Sequence, residues 1–357
     1  MTPVLAPNRT ASEPDFPSAL RERVERYFAG RSKKAEAVMR TKILAGFGLA
    51  ALTYAALYLR PWSAWEFSAI YLAHGLTQLF LLLNIAHDGN HGAVFHNRRW
   101  AKLLNYTFDL FGISSYMWRI LHNRGHHQNI NIPGDDEDVL ARGFLRFSPE
   151  VPRHPLHRMQ HIYAWIVYGL STFDYVILKD WLYFFGRGYK PILKMKHPVS
   201  EYFVLFGFKA LYYTYMLVLP IFVLKQPWPV VVGVFVATHF VIGLIAQFIF
   251  QTTHIVENSY FPHGKSDYEV YVYHVLATTA DYSTESRAAD WLIGGLNHHV
   301  VHHLFPTVCH THYPAITRIV RETAKEFGVN YRENRSLWQA LGQHYRWLKR
   351  MGEPAAS

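Results

Sequence analysis

The sequence predicts an all-α integral membrane protein with four transmembrane helices in two hairpins and a helical cytoplasmic cap. Four segments carry this prediction because each is nearly free of formal charge and roughly 17 to 23 residues long, enough to cross a hydrocarbon layer about 30 Å thick. The segments are residues 43–59, 67–86, 202–224 and 230–250. Short connections at 60–66 and 225–229 contain tryptophan, which favours the membrane–water interface, so we expect each to close one hairpin.

Positive charge predicts the orientation of these hairpins. Eight Lys and Arg side chains lie between residues 21 and 42, whereas the two short connections hold only Arg60 and Lys225. Cytoplasmic segments carry an excess of Lys and Arg, so we expect both termini in the cytoplasm. The formal net charge of +10 fits contact with anionic lipid headgroups, and beside four apolar segments it does not indicate nucleic-acid binding.

The domain organisation follows from this topology. Residues 1–41 are predicted to form an N-terminal cytoplasmic arm, loose at 1–17 and without the apolar core of a secretory signal. Residues 42–357 form the membrane domain, with 87–201 and 251–357 as its cytoplasmic cap. The single cysteine, Cys309, excludes an internal disulfide and suits a reducing compartment.

Histidines form three clusters beside or between the apolar segments. Members of a cluster are one, three or four residues apart, and the wider spacings lie on one helical face. Several neutral imidazoles can hold a metal ion without accumulating negative charge. The clusters are His87 and His91; His122, His126 and His127; and His299, His302 and His303.

The predicted topology brings the three clusters to the cytoplasmic side of the membrane. Two crossings precede His87 and four precede His299, so the chain returns to the cytoplasm each time. With three or five spans these two histidines would lie on opposite sides of the bilayer and could not share a metal centre.

Other histidines are expected to have ordinary roles. His298 is an alternative first member of the third cluster, but spacings of four and five residues diverge more, which favours His299. His74 and His239 lie within apolar segments and are expected to be neutral and hydrogen-bonded. Surface or packing roles are expected for His96, His154, His157, His161, His197, His274, His310, His312 and His344.

The donor set predicts two iron ions. Catalytic zinc takes three protein ligands and an open position, and eight histidines exceed that number. Two irons with open positions for dioxygen suit this donor set better, and the chemistry is then oxidative. Carboxylates are expected to orient the imidazoles by accepting their outer N–H groups. The candidates are Asp88 and the acidic run Asp135, Asp136, Glu137 and Asp138.

Three motifs resemble the histidine boxes of the membrane fatty acid desaturases. They are HDGNHG from His87, HNRGHHQNIN from His122 followed by GDDED, and GGLNHHVVHHLFP from Gly294. Their order and intervals are similar to the family pattern over residues 67–306. The resemblance implies a four-helix membrane anchor, a cytoplasmic cap and a non-haem di-iron centre. It also implies a ninth ligand, His254 in QTTHIVE just beyond the fourth apolar segment.

The implied activity is fatty acyl desaturation with dioxygen, in which two hydrogens leave adjacent carbons of a long acyl chain and a cis double bond forms. The acyl carrier can be coenzyme A, acyl-carrier protein or a lipid. A hydroxylase or acetylenase on the same scaffold is the near alternative, and a non-enzymatic haem or metal-transport membrane protein is the distant one. The HHLFP exit resembles front-end desaturases, although His299 stands where they commonly have glutamine.

The electron donor is expected to be a separate protein. Front-end desaturases often carry a fused cytochrome b5 domain with an HPGG motif, whereas this sequence has His197 and Pro198 followed by Val199. A ferredoxin-like carrier, or a cytochrome b5-type carrier with its reductase, would then supply electrons. The basic cytoplasmic surface fits an acidic carrier, because complementary charge raises the rate of encounter.

Overall fold

The computed structural model describes residues 15–140, 143–187, 192, 195–264 and 270–354. These residues are mostly helical and divide into two compact units. The first unit comprises Met1–Ala35, His126–Ile162 and Ile249–Ser357, and the second comprises Glu36–Gly125 and Tyr163–Phe248. The loose segment predicted at 1–17 falls mostly outside the described residues, and its last two residues already belong to a helix.

The second unit is built from α-helices interrupted by three π-helical turns. Helix α1 (Phe16–Tyr27) belongs to the first unit. The α-helices of the second unit are α2 (Glu36–Ala56), α3 (Ala64–Leu81), α4 (His87–Asn90), α5 (Arg98–Asn105), α6 (Thr107–Leu110), α7 (Ser115–Arg119), α9 (Ser171–Asp174), α10 (Asp180–Phe184), α11 (Val199–Tyr213) and α12 (Leu219–Phe222). Its π-helical turns are Leu82–Ala86, Tyr175–Lys179 and Thr214–Val218. A fourth π-helical turn, Ile120–His126, runs across the unit boundary, as do α8 (Gln160–Gly169) and α13 (Trp228–His254).

Local sequence explains how α2 and α3 form a hairpin. Ser63 caps α3 by accepting from the Glu66 backbone N–H, and the Glu66 side chain accepts from the Ser63 backbone N–H in return. The two helices then pack closely at Gly46, where a Cβ atom would lie 2.7 Å from Cδ2 of Leu81. Glycine at this position therefore permits the approach of the two helices.

Three helices in the described part of the chain are long and apolar enough to cross a membrane. They are Ala64–Asn90, Val199–Phe222 and Trp228–His254, the first two of which include π-helical turns. This confirms a helical membrane protein and three of the four predicted apolar segments as candidate spans. The remaining segment, 43–59, lies mostly on α2, which is less apolar because it contains Arg40 and Lys42 near its start.

The first unit packs the chain's N-terminal helix against its C-terminal part. Its remaining α-helices are α14 (Tyr271–Thr278), α15 (Arg287–Leu292), α16 (His299–Leu304), α17 (Tyr313–Phe327) and α18 (Leu337–Gly352), with 3-10 turns at Glu137–Val139, Pro155–Met159 and His310–His312. Phe16 and Leu20 of α1 belong to the same buried core as Val320 and Phe327 of α17. Residues 16–27 of the predicted N-terminal arm therefore form a helix that packs into this core.

Two short strands complete the first unit. β1 (Asp281–Tyr282) pairs in parallel with β2 (Glu333–Asn334), Asp281 opposite Glu333. The pairing anchors the segment immediately before α15 and α16. It therefore fixes the approach of the chain to the third histidine cluster.

Candidate metal centre

Four buried histidines meet in the first unit. They are His126, His254, His299 and His303, and one nitrogen of each lies within 4.8 Å of one nitrogen of every other. A metal binds imidazole nitrogen at about 2.1 Å, so ligands around one ion stand up to about 4.2 Å apart. The four buried imidazoles, whose nitrogens stand close to this spacing, are therefore candidate ligands of a single metal ion.

Three separate segments supply these four side chains. His126 ends the π-helical turn Ile120–His126, and His254 ends α13. His299 and His303 stand four residues apart on α16, so both rings point to the same side. His126 of the second sequence cluster and His299 and His303 of the third are thereby brought together with His254.

Asp136 orients the His126 ring. His126 Nδ1 lies 3.1 and 3.0 Å from the two carboxylate oxygens of Asp136, and 3.4 Å from Oδ2 of Asp138. Burial alone would lower the pKa of His126, but these carboxylates outweigh it and raise the pKa to about 9. With Nδ1 held by Asp136, Nε2 is the nitrogen that can coordinate a metal.

Backbone carbonyls orient two more of the four rings. His299 Nδ1 lies 3.2 Å from the Leu296 carbonyl oxygen, and His254 Nδ1 lies 3.4 Å from the Thr278 carbonyl oxygen. His303 Nε2 lies 3.2 Å from His254 Nε2. Burial and the neighbouring rings keep the pKa of His303 well below its usual value, so this imidazole is a neutral donor.

His298 has both ring nitrogens engaged by the protein. Nδ1 lies 2.8 Å from the Thr317 hydroxyl, and Nε2 lies 2.9 Å from Oδ1 of Asp290. The ring is completely buried and is not a member of the four-histidine cluster. Of the two adjacent residues weighed from the sequence, the structure brings His299 into the cluster.

Asp281 holds the start of α16. Its Oδ1 accepts from the Val300 backbone N–H at 2.7 Å, and its Oδ2 accepts from the Tyr331 hydroxyl at 2.5 Å. Burial raises the pKa of this carboxyl to about 6. The β1–β2 pairing thus positions a carboxylate at the N-terminus of the helix that carries His299 and His303.

A second histidine cluster lies in the second unit. Nitrogens of His87, His91 and His122 lie within 4.8 Å of one another, and their ring centroids are 4.8 to 5.5 Å apart. The indole of Trp118 stacks on His122 at 4.2 Å and presents its edge or face to the other two rings at 5.7 and 5.8 Å. Asp88 Oδ1 lies 3.6 Å from His87 Nδ1. This second-unit cluster therefore combines His87 and His91 with His122, the first histidine of the HNRGHH motif.

Three other residues predicted from the sequence lie outside the four-histidine cluster, namely His127, His302 and Asp135. His127 packs against His302 and His303, with ring centroids 4.7 and 4.4 Å away, but it is not one of the four histidines of the first-unit cluster. His302 also stands outside those four, and its Nδ1 lies 3.3 Å from the Tyr313 hydroxyl. Asp135 donates its backbone N–H to the Ile132 carbonyl.

The two histidines within the apolar helices are hydrogen-bonded, as expected. His74 contacts the Thr53 hydroxyl at 3.1 Å and the Gln78 amide at 2.9 Å. His239 contacts the Tyr212 hydroxyl at 2.9 Å and the Thr172 hydroxyl at 3.2 Å. Both rings therefore have polar partners inside an apolar environment.

Sequence reasoning missed three residues that support the first-unit cluster or the histidine beside it. Asp281 holds the start of α16 and Asp290 faces His298, and both contacts depend on how the chain folds. Asn131, inside the HHQNIN stretch, contacts several backbone carbonyls. The sequence signal for Asn131 was its position in HNRGHHQNIN, the second histidine motif.

Comparisons with known proteins agree with these motifs. The fatty acid desaturase family model matches residues 60–335. An acyl-lipid (8-3)-desaturase of Physcomitrium patens is 33% identical over 352 residues, covering 96% of this chain and 72% of that protein. The sn-1 linoleoyl-lipid 6-desaturase of Arthrospira platensis is 35% identical over 273 residues, covering 75% of this chain and 73% of that protein. The enzyme of the same name from Synechocystis sp. is 33% identical over 274 residues, covering 76% of each.

These relatives decide between the activities considered from the sequence. All three are named as desaturases, which does not favour a hydroxylase, an acetylenase or a non-enzymatic carrier. The resemblance predicted from the three histidine boxes is confirmed. The chain belongs to the fatty acid desaturase family, and its activity is fatty acyl desaturation.

Proposed function

We propose that this desaturase uses dioxygen and two iron ions to introduce a cis double bond into a long acyl chain carried by a membrane lipid. The observation that carries the proposal is the buried cluster of His126, His254, His299 and His303, whose nitrogens lie within coordinating reach of one another. One iron is assigned to this cluster. The other is assigned to His87, His91 and His122, and His127 and His302 are proposed as further iron ligands.

Iron would supply, when bound, the activation of dioxygen that breaking unactivated C–H bonds requires. The reaction consumes the acyl chain, one dioxygen, two electrons and two protons, and it yields the alkene and two waters. The residues of the chain prepare the site for this reaction. Asp136 keeps a proton on Nδ1 of His126 and so leaves Nε2 for the metal. Burial of all four imidazoles excludes bulk water, which limits side reactions.

The lipid-linked substrate is supported by the relatives, whose names describe acyl-lipid and linoleoyl-lipid desaturases. A methylene group offers no charge to bind, so an apolar path must select the carbons that react. Helix α5 fits a position at the membrane surface, because Trp100 and Leu103 are each 59% exposed beside Arg98, Arg99 and Lys102. We propose that this helix lies along the lipid headgroups.

The proposed topology has α2 as a fourth span, with both termini and the histidines on the cytoplasmic side. At 21 residues α2 is long enough to cross the bilayer, and its Lys42 is buried with Nζ 2.5 Å from Asn84 Oδ1. The concentration of Lys and Arg before residue 43 supports this orientation. A separate ferredoxin-like or cytochrome b5-type carrier is proposed to deliver the electrons.

Expression in a host that lacks the product tests the proposal. Gas chromatography and mass spectrometry of the total lipids should reveal a new unsaturated acyl chain, and should show which lipid class holds it. The purified chain should contain about two iron ions, and its product should require dioxygen. Replacing His254 by alanine should abolish the product while leaving membrane insertion intact.

The control is His310→Ala, which removes a buried histidine outside the proposed ligand set. We expect this variant to retain most of the activity. A folded wild-type chain that forms product without iron would refute the proposed cofactor. Labelling that places the N-terminus and His299 on opposite sides of the membrane would refute the topology.

A further inference from the structure

Asn131 connects the segments that carry two of the four clustered histidines. Its side chain is completely buried, and its amide nitrogen lies 3.2 Å from each of three carbonyl oxygens. These oxygens belong to His254, Tyr260 and Thr278. Carbonyl oxygens accept hydrogen bonds and do not donate, so the amide nitrogen is the atom that must face them.

Two of these carbonyls stand at helix C-termini. His254 is the last residue of α13, and Thr278 is the last residue of α14. The final four carbonyls of a helix lack donors within that helix, and a buried acceptor without a donor is unfavourable. The Asn131 amide therefore supplies donors to two helix ends at once, and one of them carries a proposed metal ligand.

The backbone of Asn131 contacts the support of a second ligand. Its φ angle is 59°, a left-handed conformation that asparagine tolerates better than most residues. In this conformation the backbone N–H donates to Asp136 Oδ2 at 2.9 Å. The same oxygen lies 3.0 Å from His126 Nδ1. Asn131 is thus linked to His254 through its side chain and to His126 through its backbone.

We propose that Asn131 is a positioning residue that sets the placement of His254 relative to His126, and thereby the metal affinity of the four-histidine cluster. This inference rests on the proposed metal-binding function of that cluster. Asn131 acts without touching the metal. It fixes the end of α13, on which the His254 ring depends, and it holds the carboxylate that orients the His126 ring.

The test measures cobalt(II) binding to the purified, metal-free, full-length chain in detergent, together with iron content and thermal unfolding. Asn131→Asp keeps the shape of the side chain but turns a carboxylate toward three carbonyl oxygens and removes the donors. We expect its cobalt(II) affinity to fall about tenfold or more, since residues that support metal ligands contribute about 10–100-fold.

Asn258→Asp is the matched control. Asn258 also has a left-handed backbone, with φ of 67°, but its side chain is exposed. The substitution is chemically the same, and we expect wild-type cobalt(II) affinity. Asn131→Gly provides a second variant, because glycine keeps the left-handed backbone and the N–H to Asp136 while removing the amide. Its affinity should fall by less than that of Asn131→Asp.

Unchanged cobalt(II) affinity in Asn131→Asp would overturn the inference, even if the metal-free variant unfolds at a lower temperature, because the role would then be structural only. If Asn131→Asp does not fold, wild-type affinity in Asn131→Gly overturns the inference instead. His254→Ala separates this outcome from a failure of the proposed function. If that variant binds cobalt(II) as tightly as wild type does, the ligand assignment itself is wrong.

Discussion

The histidine cluster of the first unit is assembled from distant parts of the chain, whereas the cluster of the second unit is local. His126 and His254 come from two separate segments, and His299 and His303 both come from α16. His87, His91 and His122, by contrast, all belong to one continuous stretch of the second unit, Glu36–Gly125. The first-unit cluster therefore forms only when much of the chain has folded, and the second-unit cluster requires fewer long-range contacts.

The two clusters also differ in what orients their rings. In the first unit, Nδ1 of His126 faces a carboxylate, and Nδ1 of His299 faces a backbone carbonyl. In the second unit the described contacts of His122 include a face-to-face stack on Trp118, which itself stacks on Phe108 at 4.7 Å. Hydrogen bonds thus orient rings of the first-unit cluster, and a stacked indole contributes to the placement of His122 in the second unit.

The largest effect on iron binding is expected from substitution of His299, and the adjacent His298 provides the comparison. His299→Ala should remove iron from the first-unit cluster and abolish the product, because a coordinating nitrogen is lost. His298→Ala should retain iron but unfold at a lower temperature, because Thr317 and Asp290 lose their buried partner, at about 1–3 kcal/mol. Iron analysis and thermal unfolding of the purified variants measure both. The reverse pattern would show that the cluster begins at His298.

A smaller effect is expected when the carboxylate behind His126 is neutralised. Asp136→Asn keeps the size of the side chain but loses the charge that attracts the Nδ1 proton, so metal affinity should fall about 10–100-fold. Cobalt(II) titration of the metal-free chain measures this change. Asp135→Asn is the control, since Asp135 lies beside Asp136 in the sequence, and it should bind cobalt(II) as wild type does. Equal losses in the two variants would argue for general electrostatics.

Removing the indole that stacks on His122 should weaken metal binding in the second unit, by less than the loss of the Asp136 charge weakens it in the first unit. Trp118→Leu retains an apolar side chain but removes the flat surface beneath His122, and an aromatic pair contributes about 1 kcal/mol, or about fivefold in affinity. Metal titration should show one weakened site and one unchanged site. Trp100→Leu, at an exposed tryptophan of the same unit, is the control. Weakening of both sites in Trp118→Leu would contradict separate organisation of the clusters.

The smallest effect on metal binding is expected for a histidine outside both clusters, which acts on stability instead. Burial lowers the pKa of His344 to about 4, and its Nδ1 lies 2.5 Å from the Ile255 carbonyl. Because the folded pKa lies below the unfolded value of 6.5, this group contributes stability above pH 6.5 that is lost as pH falls toward 4. At pH 5 the loss should be about 2 kcal/mol. His344→Gln should unfold with a shallower pH dependence than wild type, and an identical dependence would contradict this account.

Sequence spacing predicted that His299 and His303 share a helical face. It also grouped His302 with them and His122 with His126, and neither His302 nor His122 is among the four clustered histidines. His299 and His303 stand on one face of α16, and the HHQNIN stretch and QTTHIVE each contribute to the same cluster. Local periodicity and charge also indicated three of the apolar helices, because long uncharged runs need no tertiary context to be recognised. The family resemblance added His254, which stands alone in the sequence.

The sequence could not predict the residues that orient these histidines. The acidic run offered four carboxylates, and only folding decides that Asp136 faces His126 with both oxygens. Asp281 supports α16 because a two-residue parallel pairing brings it to the helix start. The packing of α1 against α17 likewise depends on chain folding, and composition alone does not predict it.

The π-helical turns before His87 and through His126 have a consequence for sequence change. Each accommodates an extra residue within a helix, and such turns occur frequently at functional sites. Deleting one residue from Leu82–Ala86 would remove that extra residue and restore regular α-helical winding, so the flanking parts of the helix would nearly keep their relative orientation. A one-residue deletion in the regular winding of α3 has no such turn to absorb it and would rotate the residues before it by about 100° relative to His87, so this enzyme should tolerate the first deletion better than the second.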